Sequence, residues 1–430
     1  MNLWMRLGAL LSDRRLHLVI AYLLVAAAYL PGAWTNPRHE GDEATWISGS
    51  RYLEHYLAGR FEPQRWEQDQ WRTNQSPVTF FAIGLGRRVG GYRWDELNRP
   101  WNYRLSVEQN DASGRRPSDD LVAWARLPMA LLAVLAICLA HRVVRACAGD
   151  VAGYVWLLLC VASDYLRLHL VRAMCEAPLV ASCVLGLALF SSTLARAWRQ
   201  PACGRRGALV AVFGFGLTTG LAVSSKLNGL ALFGAGVVLI GLLAAAMWSH
   251  LQARAGFVVA ALALLLAGTA IPMVGLNPYL WPAPLERVVS LFDTRLATMS
   301  RQVAGYPAMT IVTLGQRLTI VPLRILQTYA AISHGRDVPS VVFTNLLFLV
   351  IGMARLVRQA VGPLRGRPSN PAAVAILLVG SAASLPPLFT PLDWNRYYVL
   401  PVFFTTMAIA IALAWLGQRL VEDSPDASAN

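Results

Sequence analysis

The chain has 430 residues, 56% of them hydrophobic and only 14% charged, with a mean hydropathy of +0.45. That composition excludes a soluble globular domain and indicates a polytopic membrane protein. The formal charge of +14 arises from 38 basic residues, among which Lys226 is the only lysine. In such a chain, arginines are read first as loop charges obeying the positive-inside rule, and no nucleic-acid partner is expected.

Arg6, Arg14 and Arg15 precede the apolar run Leu16 to Leu30. The run is longer than a signal-peptide core and no small-residue cleavage site follows it, so it is expected to be an uncleaved first transmembrane helix. Further apolar segments near the ~20 residues that cross a bilayer are expected at about 121–144, 151–168, 175–196, 207–224, 227–248, 255–276, 341–357, 371–390 and 397–417. The fold class is therefore all-α, a membrane bundle of about 10 (9–12) helices. Three regions follow: 1–276 with the first long loop at 35–120, a second long loop at 277–340, and C-terminal helices with a short tail at 341–430. The six cysteines show no CxxC pairing and no histidine cluster, so neither a disulfide framework nor a zinc site is read.

Placing the N-terminus inside puts fifteen arginines against five acids in the inside segments, whereas the 35–120 loop carries twelve arginines against thirteen acids. This asymmetry predicts both termini on the cytoplasmic side. It also puts Asp42, Glu43, Glu176, Lys226, Asp293, Asp393 and Arg396 on the outside face. The first loop is too long for a bare connector, and its apolar spacing predicts interface helices at about Glu43 to Gly59 and Pro77 to Val89. Trp46, Trp66, Trp71, Trp94 and Trp101 suit anchoring at the headgroup level, with sugar stacking as the alternative.

Four constellations could carry chemistry, each with a plainer rival. Asp42 and Glu43 would point to different sides of a helix, and as first-turn acids they could simply complement the helix dipole. Arg172 and Glu176 could pair across one helical turn, yet ionisable residues between short membrane helices are functional by default. Pro178 places Glu176 at a helix start. Lys226, flanked by Ser224, Ser225 and Asn228, either snorkels to the surface or binds a lipid phosphate. Arg396, at the start of the last helix, needs an anion, either Asp393 or a ligand phosphate. No Walker loop, GxGxxG, HExxH or GxSxG motif occurs.

Carboxylates that accept a hydroxyl proton, beside cations that stabilise a departing phosphate, meet the needs of glycosyl transfer from a lipid-phosphate sugar. The sequence resembles the GT-C membrane glycosyltransferases, most closely the branch of protein O-mannosyltransferases and aminoarabinose transferases. The resemblance rests on Gly41-Asp42-Glu43, Ala125-Arg126-Leu127-Pro128, His169-Leu-Val-Arg172-Ala-Met-Cys-Glu176-Ala-Pro178, Gly220 to Gly229 around Lys226, Asn277-Pro278, and Arg396-Tyr397 with a following proline. It implies a GT-C helical bundle in which Asp42 is the general base and Glu176 a second acid that orients the acceptor. Lys226, Arg172 and Arg396 would hold the donor phosphate, with Glu43, Arg126, His169, Asp393 and Tyr397 as further candidates.

Relatives often carry a lysine or histidine before two prolines late in the first loop. Here Thr73-Asn74-Gln75-Ser76-Pro77 stands there, so Asn74 and Gln75 offer hydrogen bonds but no charge to a donor or metal. No cofactor is firmly implied, and a divalent metal stays open. The expected function is transfer of a sugar from a polyprenyl-phosphate donor to a lipid, glycan or protein acceptor on the non-cytoplasmic face, with inversion. The rivals are a secondary transporter and a non-catalytic subunit of a glycan-assembly complex, although no internal repeat favours a transporter. Arginine in place of nearly all lysine suggests a GC-rich bacterium, hence an inner membrane with a periplasmic site.

Overall fold

The computed structural model describes residues 14–38, 40–68, 71, 76–200, 204–247, 254–327, 339–362 and 369–422. Among these the structure is helical apart from a single antiparallel bridge between Thr310 and Leu392. Nine helical segments among the described residues are long and apolar enough to cross a membrane. One of them, Asp119–Ala162, has 44 residues and would be roughly 66 Å long if straight, about twice a hydrocarbon core. It is instead a hairpin, reversing at Gly149, whose φ of 86° is open to glycine but costly for other residues. Trp156 Nε1 consequently donates to Ile137 O at 3.2 Å although 19 residues separate them. Counting the two arms separately recovers the ten expected passes, and the second arm breaks again at Ser163 before the short helix Asp164–Val171.

Helix Asn395–Glu422 is the most enclosed span, with 78% of its apolar window buried, whereas Arg14–Thr35 and Ser340–Ala360 each bury 17% and lie at the rim. Apolar side chains left exposed, such as Leu131, Leu135 and Leu158, suit contact with lipid. Glycines set the closest helix approaches. A Cβ on Gly216 or Gly220 would come within 2.6 and 2.4 Å of the carbonyls of Leu265 and Thr269. Those carbonyls belong to the neighbouring helix, Arg254–Gly275. Pro272 within that helix has no N–H to offer the preceding turn, and Gly220 fits against the proline ring.

The first long loop departs from its expected form. Helix Pro77–Val89 has the predicted bounds, but the helix predicted at 43–59 is split into Glu40–Gly49 and Tyr52–Leu57. Trp46, Trp66 and Trp71 are buried rather than anchored at an interface. They pack with Tyr52 and Phe80, with ring centroids 4.6 Å apart for Tyr52 and Trp71 and 4.7 Å for Trp66 and Trp71. The loop closes a core with Leu121, Met129, Met174 and Leu280 from other segments, and burying the indoles there stabilises them more than an interfacial position would. Trp94 alone of these five is exposed, and Trp101 is half-buried. The second long connection likewise contains two amphipathic helices, Pro284–Gly305 and Leu314–Gln327.

The first loop is fastened by a buried ion pair. Arg126 Nε and Nη2 reach Glu43 Oε1 and Oε2 at 2.7 and 2.5 Å, and each side chain is 2% exposed. Arg126 also donates to the carbonyls of Asn36 (2.7 Å) and Pro37 (3.1 Å), while Glu43 Oε1 accepts from Ala173 N at 2.9 Å. Glu43 is therefore more than a helix-start acid. Removing one member of such a pair strands the other charge. Arg126→Ala should thus cost about 3–5 kcal/mol and clearly lower the unfolding midpoint in detergent. Arg14→Ala, which breaks only the exposed pair with Asp150, should cost about 0–1 kcal/mol. Equal shifts for the two variants would contradict this account.

Candidate active site

Asp42 precedes Glu43 in the first turn of Glu40–Gly49. With Glu43 fixed inward, the roughly 100° step between neighbouring helical residues turns Asp42 to a different side. There Tyr103 OH donates to Asp42 Oδ1 at 3.0 Å, and Arg396 forms an ion pair with Oδ2. Gly41 makes room for this arrangement, because a Cβ at that position would lie 2.9 Å from the Tyr103 ring and 3.0 Å from Trp101 Nε1.

Glu176 opens helix Glu176–Arg199, with Pro178 in the first turn where its missing N–H is tolerated. Its Oε1 accepts from Lys226 Nζ at 3.2 Å and faces the Cys175 thiol at 3.5 Å, while Oε2 is buried with no hydrogen-bond partner. Lys226 owes its place to a break between two spans. Helix Arg205–Ser225 ends, Lys226 becomes extended (φ −164°, ψ 136°), and a 3-10 turn at Leu227–Leu230 leads into Ala231–Ala246. Gly229 allows that turn to fold tightly, since a Cβ there would meet the Ala222 carbonyl carbon at 2.3 Å.

Burial alone would depress the Lys226 pKa. It is nevertheless raised, and the charged neighbour that holds the ammonium is the Glu176 carboxylate. The Cys175 thiol is pushed up to about 12 by burial and then by the Glu176 charge, so at neutral pH it is a thiol.

The two pairs converge on Tyr397. Lys226 Nζ lies 4.9 Å from the Tyr397 ring centroid, and the Arg396 guanidinium lies 5.8 Å from the same ring and 4.7 Å from Trp394. A narrow pocket lined by Glu176, Lys226, Asn228, Arg396 and Tyr397 runs between Leu179, Val180 and the Pro386-Pro387 turn. Five predicted residues, Asp42, Glu176, Lys226, Arg396 and Tyr397, thus come together from four separate parts of the chain.

Other predicted residues are placed differently. Arg172 and Glu176 are not joined along a helix, because the chain between them is non-helical. Arg172 Nε is buried without a hydrogen-bond partner. Burial lowers the Arg172 pKa, with the Glu43 charge opposing that shift. His169 is buried with its ring 4.6 Å from that of Tyr165. Arg126 belongs to the structural pair with Glu43.

The Asp393–Arg396 pair considered from sequence does not form. Asp393 Oδ2 accepts two bonds from Arg324, at 3.0 and 2.9 Å, and Oδ1 accepts from Tyr398 OH at 2.7 Å. This leaves Arg396 for Asp42. Asn74 and Gln75 lie outside the described residues.

Sequence reading missed Tyr103, Arg295 and Arg324. Arg295 Nη2 reaches Tyr397 OH at 3.3 Å from the amphipathic helix Pro284–Gly305. The helical period of that segment was the available signal.

The donor set does not suit a divalent metal. Among the described residues no three His, Cys, Asp or Glu side chains cluster to hold one, and ammonium and guanidinium groups face the two carboxylates.

Residues 103–282 match the family model described as dolichyl-phosphate-mannose-protein mannosyltransferase. Among solved structures, the chain is similar to an Archaeoglobus fulgidus oligosaccharyltransferase tethered to an acceptor peptide containing the NVT sequon. The identity is 15% and the TM-score 0.50, over 94% of this chain and 49% of that one. It is also similar to the archaeal oligosaccharyltransferase AglB from the same organism in complex with an inhibitory peptide and a dolichol-phosphate. Here the identity is 14% and the TM-score 0.49, over 94% of this chain and 50% of that one. The chain spans about half the length of these structures. A search of curated proteins finds no match. Over residues 103–282 the chain is therefore similar to the dolichyl-phosphate-mannose-protein mannosyltransferases, and its helical fold is similar to that of the oligosaccharyltransferase.

Proposed function

We propose that the protein is an inverting glycosyltransferase that moves a sugar from a polyprenyl-phosphate carrier to a lipid, glycan or protein acceptor at the non-cytoplasmic face of a bacterial inner membrane. The observation that carries this reading is a pocket lined by Glu176, Lys226 and Arg396, to which Asp42 is joined through its ion pair with Arg396. Asp42 is paired with Arg396 and Glu176 with Lys226.

In this reading the donor phosphate takes over Arg396 and Lys226 as its counterions and so releases both carboxylates. Asp42 accepts the acceptor hydroxyl's proton as that oxygen bonds to the anomeric carbon. The bond from that carbon to the phosphate oxygen breaks, and its electron pair leaves with the carrier phosphate. Attack opposite the leaving phosphate inverts the anomeric centre. The two cations stabilise charge that grows on the leaving phosphate, which accounts for a site rich in cations rather than acids to protonate it. Glu176 orients the acceptor through its unpartnered Oε2, and Arg172 adds positive potential nearby. The excess of arginine on the opposite side of the membrane supports the sidedness.

Purified protein incubated with a panel of polyprenyl-phosphate sugars should release free carrier phosphate detectable by mass spectrometry. Asp42→Asn should lower turnover by at least about 10²-fold while the protein stays folded. Normal turnover by that variant would sink the assignment of the base. Replacing Arg396 with Gln should reduce kcat/KM for the donor by about 10²–10³-fold. An Arg396→Gln variant with unaltered donor kinetics would remove this residue from the phosphate site.

Tyr103→Phe removes one hydrogen bond to Asp42 and should slow turnover by about tenfold without changing the donor's KM. A change confined to that KM would place Tyr103 on the donor instead.

A further inference from the structure

The end of the bundle opposite the candidate site carries a cluster of guanidiniums that the proposed reaction does not use. From Arg396 to Trp415 the last helix rises roughly 28 Å, close to the thickness of a hydrocarbon core. Trp415, half-buried, therefore lies at the other headgroup level, where an indole is favoured. Arg355 from helix Ser340–Ala360 and Arg419 from the last helix both approach its ring, with their Cζ atoms 5.1 and 6.0 Å from the centroid. The two helices cross closely enough to share that ring because residue 352 is glycine, since a Cβ there would collide with the Ala408 carbonyl. Arg358 stands about one turn beyond Arg355, and the charges of Arg358 and Arg419 both repel that of Arg355.

Two plainer uses for these arginines are already filled or absent. The closing carbonyls of Ser340–Ala360 are satisfied elsewhere, Gln359 O by Asn370 N at 3.0 Å and Ala360 O by Ser369 Oγ at 2.8 Å, so they do not call on arginine caps. Among the described residues the carboxylate at the cluster is Glu422, exposed and 3.6 Å from Arg419. It leaves Arg355 and Arg358 without an acidic partner among those residues.

We propose that this cluster binds the phosphate of an anionic phospholipid. Charge selects the anion, since three guanidiniums gather around one carboxylate. The helix face leading to the cluster selects a lipid over a soluble anion. Phe343, Leu347, Val350 and Arg358 fall on one face of Ser340–Ala360, and all four are exposed. An acyl chain laid along the three apolar residues brings its headgroup to Arg358, beside Arg355. Trp415 steadies the Arg355 and Arg419 guanidiniums through its ring face without neutralising them. Basic pockets between transmembrane helices are a recurrent form of lipid-headgroup site.

Native mass spectrometry of the full chain in detergent, titrated with phosphatidylglycerol, phosphatidylcholine or glycerol 3-phosphate, reads occupancy independently of sugar transfer. At roughly fivefold per arginine, Arg355 and Arg358 together should give phosphatidylglycerol an advantage of about 25-fold over phosphatidylcholine. Glycerol 3-phosphate, which has the headgroup charge but no acyl chains, should not displace it. Arg355→Gln/Arg358→Gln should abolish most of that advantage and leave phosphatidylcholine binding unchanged. Arg205→Gln/Arg206→Gln removes the same charge from exposed residues at the same end of the bundle and should preserve the advantage. Should the first double variant fail to fold, Arg358→Gln alone, at an exposed position, should cost about fivefold. Equal affinity for the two lipids, an advantage that survives loss of Arg355 and Arg358, an equal drop on loss of Arg205 and Arg206, or displacement by glycerol 3-phosphate would each overturn the proposal.

Discussion

A carboxylate and a guanidinium sealed away from water fix where the rest of the site can be. Glu43 and Arg126 are worth little as a net source of stability, because their desolvation offsets most of their attraction. Their importance lies in direction. The bonds that satisfy them come from the end of the first span, the helix bearing Asp42, the first arm of the hairpin and the turn before Glu176. Shifting any of these four segments strands a buried charge, so their relative positions are held by a penalty for leaving rather than a reward for staying. Asp42 inherits its orientation from this lock. With its neighbour committed inward, it faces Tyr103 and Arg396.

A second set of ties closes the site from the other side. Trp71 Nε1 donates to Asn277 Oδ1 at 2.9 Å and joins the first loop to the exit of helix Arg254–Gly275. The bridge between Thr310 and Leu392 brings the second loop onto the segment before the last helix, with Asp393 N donating to Met309 O at 2.9 Å. Arg324 then occupies Asp393, which leaves Arg396 to Asp42. Asp42 and Glu176 are therefore faced by Lys226 and Arg396, with Arg295 adding a further positive charge beside Tyr397. An arrangement with more cations than acids readily accepts another anion.

The spans and the grouping of Asp42, Glu176, Lys226 and Arg396 were legible in the sequence because both follow from hydropathy. Lipid dictates helix length, and the distribution of arginine assigns the scattered ionisable groups to one face. What could not be read was the choice among partners on that face. Arg396 had Asp393 three residues away, and only the return of the second loop, carrying Arg324, decided against that pair. The buried tryptophans were misplaced for a related reason. Composition recognises an indole as amphipathic but does not reveal that the first loop folds against the second helix, the turn before Glu176 and the segment around Leu280 to enclose a core. Tyr103 carried no local signal for its role, and the helical period of Pro284–Gly305 could mark the helix bearing Arg295 without showing which residue it would reach.

One feature of backbone chemistry explains why the candidate groups collect at one end of the bundle. Each sits where a helix starts or breaks: Asp42 in a first turn, Glu176 at a helix start, Lys226 between two spans, and Arg396 in the 3-10 turn Asn395–Tyr398. In the middle of a span the same side chains would lie in hydrocarbon, at a cost of several kcal/mol for each charge. Lipid-exposed breaks are disfavoured for the same reason, since unpaired backbone groups are not tolerated in hydrocarbon. Charged side chains and irregular backbone are thus driven to the same level, and a bundle whose breaks gather at one end assembles a polar site there. Which polar groups meet is then set by the long loops, and in this chain the Glu43–Arg126 lock holds the first of those loops in place.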